Sequence, residues 1–242
     1  MRIAIIGASG RVGSHLISNI ERSPNHQLAA AVVSSSHVSG DNTNGPAHRK
    51  YVAMEQMNPE TWDMVIDFSK PDGTMELLRH VEGYSTPMVI GTTGFDETQN
   101  EEINTAALTK PILLSANFAL GFELFAKAAI DLAKALPLLK AGVSEVYHAR
   151  KKNEPSGTSK RLANDLAETL NLNDIPIDVQ REGEVVGINK VSFNIGPVDL
   201  DIAFRVHDLN AYAEGAIQGA QLLQGKPNGL YGLHDLIFEQ LA

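Results

Sequence analysis

Residues 1–117 alternate short apolar runs with longer stretches whose apolar residues recur at helical spacing. A short apolar run that is bounded by glycine or polar residues is typical of a strand buried on both faces. The predicted strands are Ile3–Ile6, Leu28–Val33, Met64–Phe68, Met88–Ile90 and Ile112–Leu114, and the predicted helices are Arg11–Ile20, Met75–Gly83 and Glu97–Leu108. This alternation predicts a Rossmann-type parallel sheet that is covered by helices.

A different pattern follows Asn117. The predicted helices here are Phe122–Leu139, Thr158–Leu170 and Ala211–Leu223, and the predicted strands are Gly142–Tyr147, Val185–Ile195 and Val198–Val206. The last two strands alternate polar and apolar residues and meet at a Gly-Pro turn, which is typical of an antiparallel pair. We therefore predict an α/β protein whose second domain is α+β and carries a mostly antiparallel sheet.

The same pattern predicts how the chain divides. We expect one domain at residues 1–118 plus 210–242, because the tail from Asn228 to Leu241 is expected to return to the first sheet. Residues 119–209 are expected to form a second domain. The alternating apolar residues of Val185–Val206 need a partner surface if the small domain offers them little cover, and this predicts a homo-oligomer.

Composition narrows the functional classes. The formal net charge of −9 argues against the extended basic face that nucleic acid or an anionic membrane requires. Because cysteine is absent, disulfides, thiolate zinc sites and a cysteine nucleophile are excluded, and we expect no metal site. The first apolar run is too short for a signal peptide or a membrane span. We expect a cytoplasmic protein.

A glycine-rich turn follows the first predicted strand. Gly7 permits a tight turn, Gly10 lets the backbone approach a pyrophosphate, and Gly13 allows the helix to pack closely on the strand. The position of this turn between a buried strand and a helix predicts that residues 1–118 plus 210–242 form a dinucleotide-binding domain, although a glycine-rich turn in an unliganded domain is the alternative. The predicted cofactor-binding residues of the turn are Gly7, Ala8, Ser9, Gly10, Arg11 and Val12.

The end of the second strand bears on which cofactor is bound. A carboxylate at this point would bind the ribose 2′-hydroxyl of NADH and repel the 2′-phosphate of NADPH. The chain instead continues from Ser34 through two more serines to His37, with Arg49 and Lys50 further on. These side chains can donate to a phosphate, so we favour NADPH over NADH, while an ordinary polar loop would accept both cofactors.

Two further strand ends carry polar residues. In an open parallel sheet, ligands bind beyond the carboxyl ends of the strands. We therefore expect these loops to line the nicotinamide end of the cofactor site, although either loop alone could be a simple turn. The residues predicted in them are Gly91, Thr92, Thr93, Ser115, Ala116, Asn117 and Phe118.

Basic residues gather in one part of this acidic chain. Arg150, Lys151 and Lys152 lie beside His148, and Lys160 with Arg161 follow shortly after. From charge alone, this cluster is a solvated loop and helix face. The motif in which it lies favours a functional role.

That motif runs from Glu145 to Thr158 and reads Glu-Val-Tyr-His-Ala-Arg-Lys-Lys-Asn-Glu-Pro-Ser-Gly-Thr. It resembles the pattern Glu-x-His-His-x-x-Lys-x-Asp-Ala-Pro-Ser-Gly-Thr of the 4-hydroxy-tetrahydrodipicolinate (dihydrodipicolinate) reductase family of lysine and diaminopimelate biosynthesis. The other stretches that are similar to the family are Gly7–Gly13, Asp67–Pro71, Gly91–Gly94, Ser115–Gly121, Arg181–Gly183, Gly187 and Gly215–Ala216. The resemblance thus extends over nearly the whole chain.

The resemblance implies an NAD(P)H-dependent oxidoreductase that reduces 4-hydroxy-tetrahydrodipicolinate to tetrahydrodipicolinate. It also implies that residues 119–209 form a domain for substrate binding and oligomerisation, with a small anionic dicarboxylate as substrate and a homotetramer built through the sheet of this domain. His148, Gly157 and Thr158 are then the substrate-binding residues, since a helix N-terminus suits a carboxylate. Lys151 is the implied general acid, and Tyr147 is a secondary catalytic residue.

Several pocket positions depart from the family pattern. Tyr147 replaces the first histidine of the pair, and a phenol cannot readily supply the charge of an imidazolium. The other departures are Asn153 and Glu154 for the pair Asp-Ala, and Asp178, Asn189 and Phe204 at histidine positions.

Three hypotheses follow from this comparison. The first is a reductase of the family with a divergent active site. The second is a reductase of the same architecture that acts on another small imine or unsaturated carboxylate. The third is a non-catalytic dinucleotide-binding sensor, against which Lys151 and the Pro155–Thr158 loop argue, since a sensor needs no proton donor.

Overall fold

The computed structural model describes residues 1–34, 51–135, 140–152 and 154–239. The strands are β1 (Arg2–Ile6), β2 (Gln27–Val32), β3 (Met64–Asp67), β4 (Met88–Ile90), β5 (Pro111–Leu114), β6 (Lys140–Tyr147), β7 (Ile177–Arg181), β8 (Gly187–Ile195), β9 (Val198–Val206) and β10 (Gly229–Tyr231). The α-helices are α1 (Arg11–Arg22), α2 (Pro71–His80), α3 (Glu97–Ala107), α4 (Gly121–Ala135), α5 (Gly157–Leu170), α6 (Asn210–Leu223) and α7 (Leu233–Phe238), and short 3₁₀ helices lie at Met54–Gln56 and Pro59–Thr61. Within these ranges, every helix is too short or too polar to cross a membrane.

The strands form two sheets. One has six strands in the order β10-β5-β4-β3-β1-β2, and its pairs are all parallel. The other has the order β7-β6-β8-β9, in which only the β6–β7 pair is parallel. The predicted class is confirmed: a Rossmann-like parallel sheet, with a second sheet that is mostly antiparallel.

The chain divides into two compact units. The first comprises Met1–Phe118 and Tyr212–Ala242, and the second comprises Ala119–Ala211. The first unit is buried on both sides of its sheet: Ile3 and Ile5 belong to one apolar cluster, whereas Ala4 and Ile6 belong to another. Because successive residues of a strand face opposite ways, burial on both faces explains the continuous apolar runs of its strands.

The second unit has a single apolar cluster between its sheet and its helices. Val191 and Phe193 of β8 pack there with residues of α4 and α5, and Ile202 and Phe204 of β9 pack against the same cluster. The unit thus covers these residues at least in part, whereas Ile195, Val198 and Leu200 at the tip of the two strands are exposed. The predicted need for a partner surface therefore concerns only the exposed tip of the hairpin and stays a prediction.

Strand β7 and helix α2 differ from the sequence predictions. Strand β7 was not predicted, because only alternate residues of Ile177–Arg181 are partly buried and its sequence is largely polar. Helix α2 begins at Pro71 rather than near Met75, since its first turn, Pro-Asp-Gly-Thr, lacks large apolar residues but has proline at a favourable position. The predicted helix Phe122–Leu139 is described only as far as Ala135.

The C-terminal tail does return to the first sheet. Strand β10 pairs in parallel with β5, and Leu230 lies opposite Ile112. Helix α7 follows, and its Leu233 and Leu236 are buried in the cluster that contains Ile3 and Ile5. The tail thus completes the parallel sheet.

Candidate active site

The turn between β1 and α1 requires glycine at two positions, because neither has room for a Cβ atom. Gly7 has a φ of +77°, and a Cβ at this position would lie 2.5 Å from the carbonyl oxygen of Phe68. A Cβ at Gly13 would lie 2.3 Å from the carbonyl oxygen of Gly7. Both distances are shorter than real contacts, so the roles assigned to Gly7 and Gly13 as tight-turn and close-packing positions agree with the geometry.

A cavity of about 400 Å³ lies against this turn. Four of the predicted cofactor-binding residues line it, namely Gly7, Ser9, Gly10 and Ser34. Helix α1 begins beside it with Gly10 as its N-cap, and the amide of Gly10 donates to the carbonyl of Gly7 at 2.9 Å. A cavity at a helix N-terminus, with no Cβ at the cap, fits the pyrophosphate of a dinucleotide.

Other predicted residues of the turn have different surroundings. Ala8 is fully buried, and its amide donates to the carbonyl of Val32 at 3.0 Å, so it ties the turn to β2. Val12 packs against the apolar cluster, and Arg11 is exposed at the start of α1. The phosphate-binding candidates beyond Ser34, from Ser35 to Lys50, lie outside the described residues.

The sequence analysis missed a loop that also lines the cavity. Phe68, Ser69 and Lys70 follow β3, and Asp72 with Glu76 extend the lining along α2. Strand β3 neighbours β1 in the sheet, so the carboxyl ends of the two strands meet at one edge. The signal was the polar stretch after the predicted strand Met64–Phe68, which was noted only as part of the family resemblance.

A buried carboxylate holds this loop in place. Asp67 is fully buried and accepts hydrogen bonds from the Ser69 amide at 2.9 Å and the Thr74 hydroxyl at 2.5 Å. Burial raises the pKa of Asp67, and hydrogen bonds from Ser69, Thr74 and Thr92 oppose that rise only in part. The carboxyl group therefore fixes the loop that lines the cavity.

The loop after β4 packs against the lining loop of Phe68, Ser69 and Lys70. A Cβ at Gly91 would lie 2.4 Å from the ring of Phe68, so only glycine fits there without a shift of that ring. The hydroxyl of Thr92 accepts from the Ser69 amide at 3.0 Å, whereas Thr93 is exposed. The structure brings Gly91 and Thr92 to the lining loop but not into the cavity wall.

The loop after β5 is mostly buried. The Ser115 hydroxyl donates to the Asn117 carbonyl at 2.9 Å, and Ala116 between them is exposed. The ring of Phe118 is buried, with its centroid 5.6 Å from that of Phe68. These residues thus pack beside the lining loop, and none of them lines the cavity.

The second group of candidate residues lies at one end of the four-stranded sheet. Glu145 and Tyr147 of β6 are two positions apart and so point to the same face. Asn189 of β8 lies opposite Glu145, and Arg181 of β7 lies opposite Tyr147. The strand register therefore gathers four polar side chains on the face that α5 covers.

The centre of this group is the carboxylate of Glu145, which is fully buried. Its oxygens accept from the hydroxyls of Ser156 and Ser159, and Oε1 accepts from Arg181 at 2.9 Å. Burial raises the pKa of Glu145, but these hydrogen bonds outweigh that effect and lower it below its usual value. An ionised Glu145 thus fastens the start of α5, where Ser156 is the N-cap, to strand β6.

A chain of hydrogen bonds connects Tyr147 to this carboxylate. The Tyr147 hydroxyl donates to Oδ1 of Asn189 at 3.0 Å, and Nδ2 of Asn189 donates to the Ser159 hydroxyl at 2.9 Å. The Ser159 hydroxyl in turn donates to Glu145 at 2.5 Å. Burial raises the pKa of Tyr147, so its phenol is neutral near neutral pH.

Lys151 lies in the turn that follows β6. Its amide donates to the carbonyl of His148 at 3.0 Å, and its carbonyl accepts from Nε of Arg181 at 3.2 Å. Its ammonium nitrogen lies 4.1 Å from the centroid of the Tyr147 ring, within the range of a cation–π contact. The two predicted catalytic residues are therefore in contact.

The predicted substrate-binding residues lie in the same motif. His148 is buried next to Tyr147, while Gly157 and Thr158 form the first turn of α5. The sequence analysis did not assign roles to Glu145, Ser156, Ser159, Arg181 or Asn189, which hold the motif together. Glu145 and Ser156 stood inside the quoted motif, but the contacts of Arg181 and Asn189 depend on a strand register that the sequence does not reveal.

Part of the basic cluster has a structural role. Arg150 forms an exposed ion pair with Glu184 at 2.6 Å. Arg161 donates to both oxygens of the fully buried Glu123, each at 2.7 Å. The charges of Arg150 and Arg161 are thus partly neutralised. Asn153, which departs from the family pattern, lies outside the described residues. In the described part of the chain, no group of His, Asp and Glu side chains could hold a metal ion.

Comparison with known proteins agrees with both halves of this description. The family model "Dihydrodipicolinate reductase, N-terminus" matches residues 1–118, and the model "Dihydrodipicolinate reductase, C-terminus" matches residues 121–237. Together the two models cover most of the chain, including the glycine turn and the motif that contains Lys151.

Individual relatives point to the same family. The 4-hydroxy-tetrahydrodipicolinate reductase of Hahella chejuensis is 31% identical over 262 residues, covering 98% of this chain and 98% of the relative. The enzyme of that name from Campylobacter lari is 32% identical over 194 residues, covering 72% of this chain and 80% of the relative.

A solved structure has the same fold. A dipicolinate-bound dihydrodipicolinate reductase from a Paenisporosarcina species aligns with a TM-score of 0.77 and 20% identity, covering 97% of this chain and 98% of the other. Because matching family models cover both the cofactor-side turn and the lysine-containing motif, the chain belongs to the dihydrodipicolinate reductase family, whose members are dinucleotide-dependent oxidoreductases.

Proposed function

We propose that this protein reduces 4-hydroxy-tetrahydrodipicolinate to tetrahydrodipicolinate in diaminopimelate and lysine biosynthesis. The observation that carries the proposal is the contact between the Lys151 ammonium and the Tyr147 ring, inside the motif that opens α5. This contact places a cationic proton donor at a defined position in the motif that characterises the family.

The reaction balances with the groups that the two units provide. The substrate gains a hydride and a proton and loses its hydroxyl group as water. A bound reduced nicotinamide supplies the hydride. Lys151 donates the proton, and the His148 ring can donate a hydrogen bond where negative charge develops at the reacting nitrogen.

The start of α5 is the proposed carboxylate site. The backbone amides of Gly157 and Thr158 and the Thr158 hydroxyl lie at a helix N-terminus, where the helix dipole favours an anion. Ser156 and Glu145 fix this turn through the buried network. A small dicarboxylate substrate fits this site, and His148 with Lys151 provides the second cationic contact.

For the cofactor, we favour NADPH over NADH. Ser34 at the end of β2 lines the cavity where a carboxylate would bind the ribose of NADH, and Lys70 adds positive charge to the wall. Asp72 and Glu76 line the same cavity and oppose this preference. Measurement of KM for both cofactors tests the assignment, and a strong preference for NADH would contradict the role of Ser34.

We propose a homotetramer in the cytoplasm. The tip of the β8–β9 hairpin exposes Ile195, Val198 and Leu200, with 37%, 55% and 36% of their surfaces accessible. Exposed apolar side chains that lie close together are typical of a protein interface. Light scattering that gave a concentration-independent mass near 26.1 kDa, the mass of one chain, would rule out the assembly.

The test of the reaction uses purified protein and substrate that is generated enzymatically in the same cuvette. We expect loss of NADPH absorbance that depends on the substrate and yields tetrahydrodipicolinate.

The Tyr147–Asn189 pair, at two family histidine positions, favours a second candidate, namely a reductase of another small imine or unsaturated carboxylate. If the protein binds NADPH but does not oxidise it with this substrate, the function would be that of the second candidate or of a dinucleotide-binding sensor.

A further inference from the structure

We propose that Tyr147 is a positioning residue for Lys151. Its ring, held by Asn189, is the platform that determines where the Lys151 ammonium lies. The proposal rests on the reductase function proposed above and deepens it, since it names the group that orients the proton donor.

The ring is well fixed. Tyr147 has only 4% of its surface accessible, and Asn189 has 2%. Both polar atoms of the Asn189 side chain form hydrogen bonds, since Oδ1 accepts from Tyr147 and Nδ2 donates to Ser159. A phenol that is anchored to a buried amide cannot change its χ1 rotamer without breaking that hydrogen bond.

The hydroxyl of Tyr147 is poorly arranged for direct proton donation. Its single hydrogen is donated to Asn189 at 3.0 Å. Burial raises the pKa of the phenol, which makes release of that proton harder. The ring face is the part of Tyr147 that contacts a candidate proton donor, so the residue acts through Lys151.

The backbone of Lys151 is restrained on both sides of the side chain. Its amide donates to His148, and its carbonyl accepts from Arg181. The Arg181 guanidinium lies 5.8 Å from the centroid of the Tyr147 ring and is held by Glu145. The ring contact adds a restraint on the long and flexible side chain of Lys151.

A double-mutant cycle separates positioning from a purely structural role. Tyr147→Leu removes the ring and should lower kcat about tenfold, because a misplaced catalytic group loses rate steeply, with little change in KM. In the Lys151→Ala background, the same change should lower kcat by no more than about twofold, since the group that it positions is gone. Equal losses of kcat in both backgrounds would overturn the proposal.

Tyr147→Phe distinguishes the ring from the hydroxyl. This variant keeps the ring but loses the bond to Asn189 that holds it, so kcat should fall by about threefold, less than for Tyr147→Leu. Tyr231→Phe is the matched control, because its hydroxyl donates to the backbone of Pro227 in the other unit. If Tyr147→Phe were as damaging as Tyr147→Leu, the hydroxyl and not the ring would carry the function.

An NMR measurement that does not depend on turnover tests the position of Lys151 separately from the reductase reaction. The ring current of Tyr147 should shift the NMR signals of the Lys151 side-chain methylene groups nearest the ammonium. The shift should persist in Tyr147→Phe and disappear in Tyr147→Leu. An inactive parent protein that shows this shift would refute the reductase function but retain the platform, whereas absence of the shift would overturn the platform itself.

Discussion

The two units build their sites in different ways. In the first unit, the turn around Gly7 depends on backbone geometry and on the absence of Cβ atoms. In the second unit, the motif around Lys151 depends on buried side chains from β6, β7, β8 and α5 that hold one another in place. The turn therefore depends on a few close backbone contacts, whereas the second site depends on each member of a network of side chains.

Breaking the network at its centre should give the largest effect. Glu145→Gln leaves Arg181 without its buried carboxylate, and we expect the free energy of unfolding to fall by about 3 kcal/mol. Urea denaturation measures this change. The matched control is Glu184→Gln, whose partner Arg150 is exposed, and it should cost less than about 1 kcal/mol. Equal costs for the two variants would show that the buried network is not the stabilising feature.

Removal of the proposed proton donor should affect catalysis and not folding. Lys151→Ala should lower kcat about 100-fold, or about 2.7 kcal/mol in activation free energy, while cofactor affinity stays unchanged. Steady-state kinetics and a fluorescence titration with the cofactor measure both quantities. Lys152→Ala, at the adjacent exposed position, is the control and should stay near the parent activity. Near-normal turnover by Lys151→Ala would mean that the proton comes from another group.

The turn of the first unit can be tested by adding a single methyl group. Gly7→Ala should lower the free energy of unfolding by about 2 kcal/mol and weaken cofactor binding, because the new Cβ meets the carbonyl of Phe68. Gly83→Ala is the control, since its φ is also positive, at +83°, but no atom lies within 4 Å of its added Cβ. Thermal unfolding compares the two variants. Equal losses of stability would mean that the positive φ explains the whole effect and that the contact with the Phe68 carbonyl contributes nothing.

The pH dependence of stability should distinguish the network from the rest of the molecule. The pKa of Glu145 is lowered in the folded state, so its contribution is fully present above the unfolded value near 4.5 and is lost as pH falls below it. The parent protein should therefore lose about 1 kcal/mol more than Glu145→Gln when the pH is lowered from 5 to 3. Parallel stability curves for the two proteins would contradict this role of the carboxylate.

The same difference explains what could be predicted from the sequence. The turn from Gly7 to Gly13 is local, and its glycine spacing, which follows a buried strand, contains most of the information about its geometry. Lys151 and Tyr147 were found through the family motif, not through their contact. Asn189 and Arg181 were missed as network members because their places depend on the pairing of β8 and β7 with β6. The loop from Phe68 to Lys70 was missed for a similar reason, since only the strand order puts β3 beside β1.

The central claim is that the Lys151 motif and the glycine turn together make a 4-hydroxy-tetrahydrodipicolinate reductase. The most direct measurement is the initial rate of NADPH oxidation by the purified protein as the concentration of freshly generated substrate is varied. We expect a rate that saturates with substrate and one molecule of tetrahydrodipicolinate formed for each NADPH consumed. NADPH that binds tightly but is not oxidised at any substrate concentration would contradict the claim.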